Sequence, residues 1–179
     1  QRDVHSLAWH PEVEGVAYEA GGGGAAWSED WGETWTPADE GRDRHYTWSV
    51  AADPDDPQRW FVSASTGPFR AHRQGDPQAH VYRRENGGWR ALEGGLPDPF
   101  PAMPYALVSL GETVLAGLAN GDLWQSDDRG DTWSRCGFEG DAIGTEVVGL
   151  PATRLHDRNR MESIGIMSSA APMRMEWER

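Results

Sequence analysis

The chain has 179 residues and a mass of 19.8 kDa, enough for one sizeable core and too little for two comfortable domains. Its 16 bases, all arginine, face 29 acids for a net charge of -13. Such a balance argues against a nucleic-acid surface or an anionic-membrane anchor, both of which need clustered positive charge. No apolar run approaches the ~20 residues of a membrane helix, so a soluble chain without membrane insertion is expected. Cys136 is the only cysteine, which excludes an internal disulfide and leaves a cytoplasmic or a secreted location open. Gln1 opens the chain without an initiator methionine or a leader pattern, so a leader already removed or a piece of something longer is expected.

In chain order, short apolar runs alternate with turn signals. Val4 to Trp9 and Val13 to Ala20 are separated by His10-Pro11, and Ala25 to Trp27 is followed by Thr34 to Thr36. Tyr46 to Ala52 and Arg59 to Ser65 flank Asp53-Pro54-Asp55-Asp56-Pro57, and His80 to Tyr82 precedes Trp89 to Ala91. Tyr105 to Leu110 and Thr113 to Leu118 flank Gly111-Glu112, and Asp122 to Trp124 precedes Thr132 to Ser134. These runs predict twelve strands in three units of four, at about 1–41, 42–97 and 98–140, with no helical period up to residue 140.

The last pair of strands in the first unit is joined by Ser28-Glu29-Asp30-Trp31-Gly32-Glu33-Thr34-Trp35, and 98 residues later by Ser126-Asp127-Asp128-Arg129-Gly130-Asp131-Thr132-Trp133. Arg83 to Trp89 reads as a weaker copy in the second unit. Ser and Asp oxygens can accept from turn amides, Gly supplies a positive φ, and Thr and Trp suit a returning strand, so the motif reads as a self-capped hairpin. Four strands per 40 to 50 residues, repeated, is the signature of a β-propeller. The Ser-x-Asp-x-Gly-x-Thr-Trp motif resembles the Asp-box, or BNR, repeat of sialidases, sortilin-type receptors, xyloglucanase-like glycosyl hydrolases and photosystem-II assembly-factor-like propellers. Residues 52–62 also resemble a segment common in the last group. The resemblance implies an all-β, incomplete propeller of about three blades, with Ser28, Asp30, Gly32, Thr34, Trp35, Ser126, Asp128, Gly130, Thr132 and Trp133 in structural roles. It says little about activity, because such repeat proteins mix enzymes with binding scaffolds.

Aligning the innermost strands puts His5, Trp48 and Tyr105 at equivalent positions near the channel mouth, where rings with polar handles can stack on a sugar or a peptide side chain. The second unit carries an insertion of about a dozen residues, Gly67 to Gln78, whose Arg70, His72 and Arg73 form a local basic cluster on the same face. Its arginines can clamp a carboxylate or phosphate, or simply pair with neighbouring acids. These six residues are the candidate ligand-binding set. The favoured expectation is a non-catalytic scaffold that binds a protein or carbohydrate ligand. A fragment of a BNR-type glycoside hydrolase and a truncated product without its own activity are the alternatives.

Catalytic constellations are weak by comparison. Tyr18 and Glu19 are adjacent and in a strand would face opposite ways, and Asp39, Glu40, Asp43 and Asp98 are acids on loops with no pairing evident in the sequence. The six histidines show no metal-ligand spacing, Asp53-Asp55-Asp56 lacks a completing Glu for calcium, and no phosphate-cradling glycine motif occurs, so no metal and no cofactor are expected.

Residues 141–150 read as a candidate start of a fourth blade. Residues 151–179 form an atypical tail: charge shifts from -14 over residues 1–150 (11 Arg, 25 Asp+Glu) to +1 (5 Arg, 4 Asp+Glu), and four of five methionines follow Asn159. Three blades do not close a ring of the usual size. Self-association, or missing blades from a longer parent chain, is expected to cover the apolar flanks at either end.

Overall fold

The computed structural model describes residues 3–73 and 75–137, so residues 138–179, with the expected fourth-blade start and tail, lie outside the described residues. The first sheet runs in sequence order through β1 (Val4–Trp9), β2 (Ala17–Gly21), β3 (Gly24–Ser28) and β4 (Thr36–Pro37). The second comprises β5 (Tyr46–Ala52), β6 (Trp60–Ser65), β7 (Ala79–Glu85) and β8 (Gly88–Ala91), and the third β9 (Pro104–Leu110), β10 (Thr113–Leu118), β11 (Leu123–Ser126) and β12 (Ser134–Arg135). All pairings are antiparallel neighbours in sequence. The three expected four-stranded blades are present.

Alternation along the strands assigns each side chain to one of two junctions. Tyr18, Ala20 and Ala25 of the first blade meet Val50, Trp60, Val62, Ala64 and Tyr82 of the second. The opposite face of the second blade, with Ala51, Phe61 and Val81, meets Leu107, Val114, Ala116 and Leu118 of the third, and Trp133 completes that cluster. The Tyr18 hydroxyl donates to the Pro57 carbonyl across the first junction at 2.8 Å, so Tyr18 is a core residue and its neighbour Glu19 lies on the far face.

The two Ser-x-Asp turns are superimposable in their bonding. Ser28 Oγ donates to Asp30 Oδ1 (2.9 Å) and accepts from the Gly32 amide (2.9 Å), while Asp30 accepts from the Thr34 amide (2.8 Å) and hydroxyl. Ser126, Asp128, Gly130 and Thr132 repeat these bonds at 2.7, 2.7 and 2.8 Å, and Trp35 and Trp133 each donate the indole N–H to the glycine carbonyl at 3.0 and 2.9 Å. Gly32 and Gly130 adopt φ of 82° and 93°, a region that glycine enters at little cost.

Several expected boundaries are corrected. Because Thr34 and Thr132 give their amides to aspartate, the outer strands start later, at Thr36 and Ser134. The second strand begins at Ala17 rather than Val13, since the His10 ring Nδ1 accepts from the Glu12 and Val13 amides and holds them in a turn. The weaker copy at 83–89 is a tight Asn86-Gly87 turn with φ of 52° and 79°, the geometry of a two-residue hairpin. Without the Ser and Asp of the full motif, Trp89 turns the other way and donates to the Ala38 carbonyl (2.7 Å). The insertion, read as free of helix, contains one helical turn, α1 (Pro68–Ala71), started by a proline that sets φ without needing an N–H partner.

Candidate functional site at the mouth of the blades

The two ends of the stack are chemically different. At one end the Ser-x-Asp turns tie to the first hairpin of their own blade, Trp31 N to Gly15 O (3.0 Å) and Arg129 N to Glu112 O (2.8 Å). At the other end lie the loop from β4 to β5, the insertion and the loop from β8 to β9, joined by Gly75 N to Pro101 O (2.9 Å).

Each innermost strand breaks register at this second end. Pairing skips His5 in β1, Trp48 with Ser49 in β5, and Tyr105 in β9. A bulge leaves its extra residue outside the ladder and re-aims the side chain, and here all three bulges release the ring residues that sequence alignment picked out. Beside the bulge, the Thr47 hydroxyl accepts from the Gly21 amide (2.8 Å) and lies 2.7 Å from the Gly24 carbonyl, and Ser49 Oγ accepts from the Leu107 amide (3.0 Å). These buried hydroxyls fix the bulges to the neighbouring blades, and the sequence reading did not identify them.

The released rings converge. His5 stacks on Trp48 at 4.3 Å between centroids, Trp48 lies 4.8 Å from Tyr105, and His72 from the insertion meets Trp48 edge-on at 5.1 Å. His72 Nδ1 and the Tyr105 hydroxyl are hydrogen-bonded at 2.6 Å, and His5 Nδ1 donates to the Thr47 carbonyl at 2.6 Å. Tyr46, absent from the expected set, joins through its ring, 5.0 Å from His5. Its position two residues before Trp48 on a strand was the available signal. Burial raises the pKa of both Tyr46 and Tyr105, so both remain hydroxyls at neutral pH. Met103, Ala71 and Ala79 floor the cluster. His5, Trp48 and Tyr105 stay partly accessible and His72 is exposed.

Neither insertion arginine makes a cation–π contact with these rings. Arg70 pairs with Asp76 at 3.1 Å, and Arg73 is exposed. One residue before Arg70, Phe69 projects its ring with 93% of its surface exposed. Two of the four loop acids are held in structural pairs, whereas Glu40 and Asp98 are exposed. Asp39 pairs with the buried Arg42 and accepts from the Ala25 amide (2.9 Å), and Asp43 is held by Tyr82 and Arg44. Burial pushes the Tyr82 phenol up to about 12. Asp43 stays below its usual range because the Tyr82 hydrogen bond and the Arg44 charge outweigh burial. Asp98 lies 3.9 Å from His80, whose pKa burial and then Arg44 depress. Among the described residues no helix is long and apolar enough to cross a membrane, and no group of three or more His, Cys, Asp or Glu is placed to hold a metal ion.

Three four-stranded antiparallel sheets in sequence order, packed face to face, define a partial β-propeller. No protein-family model matches the chain, and no curated protein sequence matches it significantly. Solved structures do. YCF48 from Cyanidioschyzon merolae aligns with a TM-score of 0.56 at 16% identity, over 74% of this chain and 39% of that one. The GH74 xyloglucanase from Xanthomonas campestris aligns with a TM-score of 0.53 at 27% identity, over 74% of this chain and 20% of that one. The structure described as YCF48 bound to D1 peptide gives 0.55 and 16%, over 74% and 40%. The chain thus spans less than half the length of each of these propeller structures.

Proposed function

We propose that the chain is a non-catalytic propeller scaffold that binds a protein segment through the rings at the mouth of its blades. The observation that carries this reading is the convergence of His5, Trp48, Tyr105 and His72 at three matched bulges, with partly open aromatic surfaces and polar edges. Aromatic faces of this kind give contact area at low entropy cost, and hydroxyl and imidazole edges add direction. The solved complex of a similar fold with a peptide, YCF48 bound to D1 peptide, supports a protein ligand. The 27% identity to a xyloglucanase favours carbohydrate as the second reading, on the same rings, with the whole glycoside hydrolase as the wider alternative. The loop acids Asp39 and Asp43, tied to arginines, favour binding over hydrolysis. The turns built on Asp30 and Asp128 belong to the Asp-box type in this reading and carry no ligand.

Peptide display on the immobilised chain, run beside a glycan array and repeated with Trp48→Ala, tests the proposal. Peptides retained by the natural chain and lost at least tenfold by the variant are expected, because a central aromatic anchor commonly carries more than about 1.4 kcal/mol. Binding confined to the glycan array shifts the assignment to carbohydrate, and peptide binding indifferent to Trp48 contradicts the site.

A further inference from the structure

We propose that His80 is an acid-sensitive latch on the returning arm of the insertion, residues 75–78. The neutral ring accepts a hydrogen bond from Arg44 and leaves that arginine holding the arm against the mouth, whereas the protonated ring breaks the bond and loosens the arm. Arginine has donors and no acceptor. Arg44 Nε donates to the Gln78 carbonyl at 2.8 Å, and Arg44 Nη1 lies 3.1 Å from His80 Nδ1 and donates to the Tyr82 hydroxyl at 3.3 Å. His80 Nδ1 is therefore the acceptor, and the proton of the neutral ring sits on Nε2, which faces Asp98 at 3.9 Å. A proton added at Nδ1 removes the acceptor and sets a second cation beside the guanidinium.

The arm joins the latch to the rings. Gln78 has a φ of 47°, a state that costs a residue with a Cβ and that the Arg44 bond to its carbonyl helps to hold. The Ser65 hydroxyl donates to the Pro77 carbonyl at 2.6 Å, and the Gly75 amide to the Pro101 carbonyl at 2.9 Å. Asp76 in the arm pairs with Arg70 of α1 at 3.1 Å. His72 follows α1 and bonds the Tyr105 hydroxyl.

Charged and titratable groups face His80 from three elements. Asp43 and Arg44 precede β5, Tyr82 lies beside it on β7 with rings 5.8 Å apart, and Glu93 and Asp98 follow β8. Burial and then the Arg44 charge disfavour the imidazolium, the carboxylates of Asp43, Asp98 and Glu93 favour it, and the balance lowers its pKa. Loosening the arm frees Arg44 and returns His80 toward its ordinary value of about 6.5. The latch thus holds fully above that value and is lost as pH falls through the lowered one. A weaker hold on a ligand in acid follows only if the rings bind one as proposed, whereas amide exchange reads the latch without a ligand.

Amide hydrogen exchange of the 179-residue chain, followed by nuclear magnetic resonance at about pH 7.5 and about pH 5, tests this across the range in which histidine titrates. Protection of the Gly75 amide, relative to the amides of β6, is expected to fall at least about threefold in acid. His80→Gln keeps an acceptor and stays neutral, so its Gly75 protection is expected to hold across the range. Arg44→Met is expected to show the acid level of protection already at neutral pH. Far-UV circular dichroism confirms that the variants fold, and His80→Gln decides alone if Arg44→Met does not. Gly75 protection unchanged by acid in the natural chain overturns the proposal, as does Arg44→Met matching the natural chain at neutral pH. A fall in His80→Gln as large as in the natural chain also overturns it and moves the acid response to His72.

Discussion

Asp128 has few neighbours but strong ones: the Thr132 hydroxyl and amide and the Ser126 hydroxyl all favour its charged form, lowering its pKa to about 2. Asp30 is lowered by the same set in the first blade. A carboxylate lowered on folding contributes stability above its unfolded value of about 3.9, and that contribution is lost as pH falls through the folded value. Thermal melts should therefore lose stability between about pH 4 and pH 2. Asp128→Asn should be less stable than the natural chain at pH 7 and converge on it near pH 2. Parallel curves across that range would show that the turn charge is not linked to folding. Arg42 is the contrasting case, with a side chain fully shielded from solvent, paired to Asp39 and lying 4.6 Å over the Trp89 ring. Burial lowers its pKa, but Asp39 opposes the shift. Arg42→Ala strands Asp39 and should cost about 3 kcal/mol, with Arg42→Lys recovering only part, because an ammonium cannot replace the planar stack. Chemical denaturation measures both.

At the scale of the element, the strands owe their existence to alternation that the sequence displays openly, which is why the inner strands matched expectation almost residue for residue. Bulges, by contrast, leave no local signature. Nothing in Thr47-Trp48-Ser49 reveals that the ladder skips Trp48 and Ser49, although aligning the three units brings His5, Trp48 and Tyr105 into one row. The outer strands were placed too early because a Thr-Trp pair suits a strand, whereas aspartate captures the threonine amide first. Trp89 departs from the motif for a related reason, since a tryptophan after Gly-Gly looks like the motif without its Ser and Asp. Arg70 paired with Asp76 because a loop that folds back brings its own acid within reach, the plainer of the two readings. Between elements, the loop after β8 is pinned where a Cβ on Gly94 would fall 1.8 Å from the Asp131 carbonyl and the Trp133 amide donates to the Gly94 carbonyl. Gly94→Ala should thus destabilise by about 3 kcal/mol or more, while Gly137→Ala, with nothing within 4 Å among the described residues, should be near neutral. Equal effects in denaturation would contradict the close approach.

At the scale of the molecule, the second blade contributes to both apolar clusters, so the three blades should melt together. Phe61→Ala, at a side chain with no exposure between the second and third blades, should cost about 3 to 5 kcal/mol. It should lower a single calorimetric transition rather than split it, whereas two resolved transitions would mean that the blades fold independently. The charge of -13 acts on association in the opposite sense to burial. Self-association, where it occurs, should weaken as salt is reduced and repulsion between copies grows, and association strengthened at low salt would point to an ionic contact instead.

The proposed function requires the separation of two faces, turns that hold the fold on one and rings that meet a ligand on the other. Nuclear magnetic resonance of the chain with a peptide selected by display measures this directly. Shifts are predicted at the Trp48 indole, the His5 and His72 rings and Tyr105, with the Trp35 and Trp133 indoles of the Ser-x-Asp turns unmoved. Shifts centred on those turns, with the Trp48 signal unchanged, would contradict it.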